Sequence, residues 1–171
     1  MSEPIETPWE GRFIAVKTQG KWEYVSRTRG IQAAVILAID AGDVILVEQY
    51  RVPLGQRCLE LPAGLVGDED EGESVETSAA RELEEETGYR PARVENLGVF
   101  YSSPGMVSEG FTLVRASDLT RVSDGGGVVG EDITVHRVPL AGLVDFVAAK
   151  RAEGVAVDVK MLLLLSPTIL A

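Results

Sequence analysis

Glu82, Glu85 and Glu86 stand at i, i+3 and i+4, a spacing that puts all three side chains on one face of a helix. Three carboxylates converging on one point repel one another in water, and the arrangement makes sense when a divalent cation sits among them. Oxygen-only ligands of this kind suit Mg²⁺, or Mn²⁺, rather than zinc. Arg81, four residues before Glu85, can hold that carboxylate in place. The competing explanation is a solvated charged face, the common fate of a glutamate run on a surface helix.

Charge is concentrated around the same place. The 171 residues carry 16 Lys+Arg and 27 Asp+Glu, a net charge of −11. Residues 67–86 hold ten acids and one base, so the rest of the chain carries only −2. A chain this acidic lacks the Lys/Arg surface that non-specific nucleic-acid or anionic-membrane binding requires. With 45% apolar and 25% charged residues it has the composition of a folded domain, not of a disordered segment, and its length suits one domain with a small accessory piece. A single cysteine, Cys58, excludes an intramolecular disulfide and a cysteine-cluster zinc site; it reads as a small, semi-buried apolar residue. The first ten residues have no basic start and no apolar run. The apolar block 161–165 is far short of the roughly 20 residues that span a bilayer, and reads as core or interface packing. The expectation is a cytoplasmic protein with neither nucleic-acid nor membrane partners.

The elements that must position the acids can be read from local chemistry. Residues 12–16 and 22–26 are rich in aromatic and β-branched types around a Gln19-Gly20 turn, which predicts an antiparallel strand pair within the first thirty residues. The apolar run 31–39 predicts a buried strand, turned by Asp40–Asp43 into a second strand, 44–49. Pro53, Gly55, Pro62, Gly64 and Gly67 then imply turns and short strands. A helix follows over 74–87, with Ser74 as N-cap, Val75, Ala79 and Leu83 as its apolar stripe, and Gly88 as its stop. Strands are expected at 94–101, 111–116 and 133–138. His136, the one histidine, lies in the last of these and reads as structural. A second helix is expected to open at Pro139, bury Leu143, Phe146 and Val147, and end near Lys150-Arg151 before Gly154; a short third one covers 158–165, stopped by Pro167. Gly125-Gly126-Gly127 reads as a mobile loop. Strands interrupted by one acidic helix and followed by two more helices imply an α/β fold, a mixed sheet sandwiched between helices.

The frame around the glutamates decides between the metal site and the charged face. Gly67, five residues, Glu73, seven residues, Arg81-Glu82-Leu83, one residue, Glu85-Glu86, one residue, Gly88-Tyr89 matches the Nudix box at every fixed position. The protein resembles Nudix hydrolases over roughly residues 9–166. Gln49-Tyr50-Arg51, Glu60-Leu61-Pro62-Ala63-Gly64 and Ser103-Pro104-Gly105, with Pro104 15 residues after Tyr89, look like the ADP-ribose and nucleotide-sugar branch. The stretch from Gly125 to Ile133 is similar to that of GDP-mannose hydrolases. One departure concerns the box glycine, which in close relatives belongs to the Pro-Ala-Gly run, here Gly64. The gap from Gly64 to Glu73 is eight residues, and the added acids Asp68, Glu69, Asp70 and Glu71 are expected to lengthen a loop without touching the site.

The resemblance implies an α/β/α sandwich (residues 31–171) with a small N-terminal antiparallel sheet (residues 1–30) exchanged between the subunits of a homodimer. It implies Mg²⁺-dependent hydrolysis of a nucleoside diphosphate sugar, ADP-ribose first and GDP-mannose as alternative. A sensor that binds without cleaving is the alternative of another class, and a nucleoside triphosphate hydrolase a third. Glu82 and Glu86 become the principal metal ligands, with Glu85 sharing the ions and the Ala63 carbonyl as an additional ligand. Glu131, next to the glycine run, becomes the general base carried on a mobile loop, against a purely structural Glu131-Asp132 pair; some relatives carry an acid at the position of Val129. Arg51 follows a buried strand, where a cation needs a partner: a substrate phosphate, or a salt bridge to Glu60 or Glu48. Arg27 and Leu65 are further substrate contacts. Trp22 is a platform for the base, Phe13 either its counterpart or core packing, and Glu109 a hydrogen-bond partner of the terminal sugar or a surface acid.

Overall fold

A computed structural model describes residues 3–67, 72–128 and 130–165. At its centre is β4 (Gln32–Asp40), whose run AAVILA has both faces covered, as expected for a near-continuous apolar strand. Its alternation separates two cores. Val35 and Leu37 join Val44, Leu46, Leu59, Leu113, Leu143, Met161 and Leu164 on one face. Ala34, Ile36 and Ala38 join Ala79, Leu83, Val114 and Ala116 on the other. The second face is built largely from alanines, so the helix above it can approach closely.

That helix is α1 (Val75–Thr87). The opposite face is covered by α2 (Leu143–Ala152) and a 3₁₀ segment, Val159–Leu165. Between them, β4 pairs in parallel with β9 (Gly110–Arg121) and antiparallel with β5 (Asp43–Arg51) and β7 (Ala63–Val66). β5 also pairs antiparallel with β6 (Gln56–Glu60) and with β10 (Ile133–Pro139). β8 (Tyr89–Tyr101) forms the edge beside β9, and the two-residue β11 (Ala156–Val157) extends β6 in parallel. This is the expected mixed sheet between helical layers.

The N-terminal piece has three strands, not two: β1 (Glu6–Glu10), β2 (Ile14–Gln19) and β3 (Trp22–Arg27) pair antiparallel in that order. β1 is fully exposed and contains Pro8, and an edge strand with neither a buried face nor an unbroken donor row carries little pattern. The loop after β8 ties this sheet to the rest of its own chain. Val25 N–H donates to Met106 O, and Ser108 N–H to Val25 O, both at 2.9 Å.

Other boundaries also move. β8 begins at Tyr89, straight after α1, because Pro91 is tolerated on an edge. Pro139 ends β10 and does not open a helix; a 3₁₀ turn, Leu140–Gly142, intervenes before α2. Leu143 is buried there, while Phe146 and Val147 are half-buried against the same core. The last expected helix is the 3₁₀ segment, and its proposed stop, Pro167, lies outside the described residues. No described helix is long and apolar enough to cross a membrane.

Behind the sheet lies a buried charge cluster. Glu48 accepts from Arg57 Nε at 2.7 Å and pairs with Lys150 Nζ at 3.0 Å and His136 Nε2 at 3.0 Å. His136 also packs edge-on against Phe146, with ring centroids 5.2 Å apart, which is the structural role expected of it. Burial opposes ionisation of Glu48, but hydrogen bonds from Lys150, Arg57 and His136 outweigh it and hold the carboxyl down to about 2. A depressed carboxyl stabilises the fold above its unfolded value of 4.5 and loses that contribution as pH falls toward 2. Glu48→Ala, which removes the carboxylate shared by Arg57, Lys150 and His136 and leaves Arg57 only Asp132 and Lys150 only Glu153 as counter-charge, is expected to lower the unfolding free energy by about 3 kcal/mol. Urea unfolding at neutral pH measures it, and the gap from wild type should close on acidification.

Candidate metal and substrate site

α1 ends in chemistry its sequence specifies. Ser74 Oγ accepts from Thr77 N–H at 3.2 Å at the start, and Gly88, at φ 75°, donates its N–H to Glu84 O at 2.8 Å at the end. The stripe Ala79–Leu83 faces the sheet, which turns Glu82, Glu85 and Glu86 toward a cavity of about 560 Å³ beside β7. Glu131 lines the same cavity from the segment before β10.

Arg81 lies among the acids. Its Nη1 donates to Glu85 Oε2 at 3.2 Å, and its Nη2 lies 3.2 Å from Glu82 Oε1 and 3.5 Å from Glu73 Oε2. The expected Arg81–Glu85 contact is therefore present, within a larger cluster. Among the described residues no three His, Cys, Asp or Glu side chains already form a cage for a cation; Arg81 bridges Glu73, Glu82 and Glu85 instead.

Glu86 is only 6% exposed, with Oε2 accepting from Ala63 N–H at 3.1 Å. Burial pushes its carboxyl up to about 8; the Ala63 N–H opposes this, while Glu82 and Glu131 add to it. The Glu82 carboxyl is also raised, chiefly by burial, with Arg81 opposing and Glu85 and Glu131 reinforcing. A buried and a half-buried carboxyl that resist ionisation beside other acids form a donor set that a divalent cation fits, because its charge removes the cost of ionising them.

Gly64 shows why the strand before the helix must be bare. A Cβ there would fall within 2.5 Å of Glu82 Cδ, Cγ and Oε1. The close-approach glycine is thus Gly64, while Gly67 is a turn residue at φ 77°. The acids 68–71, assigned above to an inert loop, lie outside the described residues. Gly64→Ala is expected to displace Glu82 and to lower kcat/KM about a hundredfold, the scale of an ångström-sized misplacement, while the flexible Glu82 side chain lets the protein fold. Steady-state kinetics together with a melting curve test this.

The glycine run corrects one expectation. It is docked, not a loose hinge: Gly126 N–H donates to Glu86 O at 2.9 Å and Gly127 N–H to Glu85 O at 3.0 Å. Gly88 and Gly125 approach so closely that a Cβ on either would strike the other's backbone segment. The free carbonyls of the last helical turn needed donors, and positive-φ glycines supply them. Val129, the position where some relatives carry an acid, lies outside the described residues.

The remaining assigned residues divide into two groups. Arg51, Arg27, Glu109, Leu65 and Ala63 all line the cavity. Arg51 is held by Glu60 through Nε at 2.6 Å and Nη2 at 2.7 Å, the salt-bridge alternative given above, and Arg27 Nε donates to Glu109 Oε1 at 2.5 Å. Phe13 and Trp22 do not line it. They are 61% and 56% exposed on the N-terminal sheet, so neither is core packing. Glu60, Glu73 and Lys160, from the 3₁₀ segment, also belong to the cavity or its charge network. Glu73 carried a signal, as a fixed box position. Glu60 was signalled too, as a motif residue and a possible partner of Arg51, whereas Lys160 carried no signal, since the approach of a distant segment depends on packing.

The family model described as NUDIX domain matches residues 28–137. The ADP-ribose pyrophosphatase of Bacillus subtilis is 40% identical over 87 residues, a match spanning 51% of this chain and 45% of that protein. The GDP-mannose pyrophosphatase of Cronobacter sakazakii is 36% identical over 147 residues, 80% of this chain and 72% of that protein. A solved structure described as an ADP compounds hydrolase superposes with a TM-score of 0.71 at 27% identity, covering 86% of this chain and 82% of that one.

Proposed function

The chain belongs to the NUDIX family, and on that premise we propose that it hydrolyses the diphosphate of a nucleoside diphosphate sugar with Mg²⁺, ADP-ribose being converted to AMP and ribose 5-phosphate. The observation that carries this is the cavity itself, where the carboxylates of α1 face Glu131 among cationic side chains. The relatives named for ADP-ribose and GDP-mannose support the substrate class.

In this reading Glu82 and Glu86 are the principal metal ligands, Glu85 shares the ions, and the Ala63 carbonyl completes the set. A divalent cation held there would neutralise the diphosphate and lower the pKa of the attacking water. Glu131 takes that water's proton as its oxygen bonds to phosphorus and the bridging P–O bond breaks. Arg81 holds Glu85 in place and offsets the charge of its neighbours. Arg51, kept in position by Glu60, and Arg27, kept by Glu109, contact substrate from the cavity wall, with Leu65 against its apolar parts.

Residues 1–30 form the accessory unit of this proposal. Exposed aromatics that do not reach their own cavity suit a homodimer, in which Trp22 and Phe13 flank the base in the partner subunit's site. A monomeric mass at micromolar concentration would contradict that assembly. A cytoplasmic location belongs to the same reading, in keeping with the buried free thiol of Cys58.

The test is turnover of ADP-ribose, GDP-mannose, UDP-glucose and an oxidised nucleoside triphosphate, each with Mg²⁺, with Mn²⁺ and with chelator. ADP-ribose is expected to be cleaved fastest. GDP-mannose is the alternative, favoured by the match over 80% of this chain, and cleavage of none would leave a binding module.

A further inference from the structure

Glu131 belongs to a turn that closes on itself. Its N–H donates to Val128 O at 3.0 Å, and Val128 N–H donates back to its Oε2 at 3.0 Å. Such a turn fixes its own shape but not its distance from α1. On its N-terminal side that distance is set by Gly126 and Gly127 on the carbonyls of Glu86 and Glu85. On its C-terminal side the next residue, Asp132, is gripped by a single guanidinium. Arg57 Nη1 donates to Asp132 Oδ2 at 2.8 Å, and Nη2 to Asp132 O at 3.4 Å and Thr134 Oγ1 at 3.0 Å.

Arg57 makes these contacts from behind the sheet. Gln49, Arg51 and Glu60 line the cavity, so strand alternation turns Glu48 on β5, Arg57 on β6 and Thr134 on β10 to the opposite face. There Arg57 is anchored in turn, its Nε on Glu48 Oε1 at 2.7 Å and its Nη2 on Glu48 O at 2.9 Å. A planar donor fork suits this double task, whereas an ammonium group cannot span both partners.

We propose that Arg57 is a positioning residue for Glu131, pinning the start of β10 from the far face of the sheet so that the carboxylate enters the cavity at a fixed distance from the α1 acids. The proposal rests on Glu131 being the general base.

The test uses the full-length protein and the substrate turned over fastest in the panel above. Arg57→Lys is expected to lower kcat by about tenfold to a hundredfold, the range for groups that orient reacting side chains, with KM and the binding of Mn²⁺ alone unchanged. Asp132→Ala removes one of the grips at a side chain that is 83% exposed, so it folds whatever becomes of Arg57→Lys; a smaller fall in kcat is expected. In a Glu131→Gln background both substitutions are expected to have no further effect on kcat. Equal losses in both backgrounds, losses in KM or Mn²⁺ binding with kcat retained, or wild-type kcat in both single variants would overturn the role of Arg57 and leave Glu131 in place. Wild-type turnover by Glu131→Gln alone would instead remove the base assignment, and the proposal with it.

Discussion

Glu86→Gln should lower kcat about a thousandfold while leaving the metal-free protein at least as stable as wild type. The loss follows from removing a charged oxygen that holds the ion on which charge stabilisation depends, and such losses reach the upper range of single-group electrostatic effects. The stability gain follows from burial. Glu86 titrates at about 8 in the fold, against an ordinary value of 4.5. A carboxyl raised by folding costs nothing while it is protonated in both states. As pH rises above 4.5 the unfolded chain ionises first, and the folded state loses ground until about pH 8. The full penalty is roughly 5 kcal/mol, and glutamine, which still offers an oxygen to Ala63 N–H, avoids it. Melting curves of the two proteins in chelator should therefore coincide near pH 4 and separate toward pH 8, with the variant higher. Added Mg²⁺ should raise the melting temperature of the wild type more than that of Glu86→Gln. A variant that melts lower than wild type at pH 8 would mean that the buried carboxylate has a partner other than a cation.

Glu131→Gln should lower kcat by about 10²–10⁴-fold, the range for losing a positioned base, with little change in KM or in Mn²⁺ affinity. The side chain lines the same cavity as the α1 acids, and its charge is felt by both Glu82 and Glu86. Its carboxylate is tied to Val128 N–H, so the substitution leaves the metal acids and Arg81 in place. Glutamine can keep that tie through its amide oxygen and so preserves the turn while removing the proton acceptor. Wild-type turnover at saturating Mg²⁺ would sink the assignment.

The parts of this molecule that sequence exposes are those whose chemistry is local. The bounds of α1 follow from a serine that accepts a hydrogen bond at one end and a glycine that can take positive φ at the other. The face presented by Glu82, Glu85 and Glu86 follows from helical periodicity alone, and β4 from an apolar run of strand length. What sequence hides depends on register. Nothing in the order Glu48, Arg57, Asp132 indicates that one guanidinium joins them, because β5, β6 and β10 must first be aligned. The preference of Arg51 for Glu60 over a vacant pairing has the same origin. The glycine run misleads for another reason: the residues that make a free chain flexible are also those that can lie against a neighbouring backbone without a Cβ in the way.

That docking has a consequence for how the site comes apart. The amides of Gly126 and Gly127 are protected from solvent exchange only while the carbonyls of Glu86 and Glu85 are in helical position. The last turn of α1, Gly88 and residues 122–127 should therefore open as one cooperative unit. Deuterium uptake at those glycine amides should match that of the final α1 turn and slow in step with it when a cation is added. Assembly of the acidic helix end and delivery of the segment leading to Glu131 then become a single event, and a half-built site is a state the chain rarely visits.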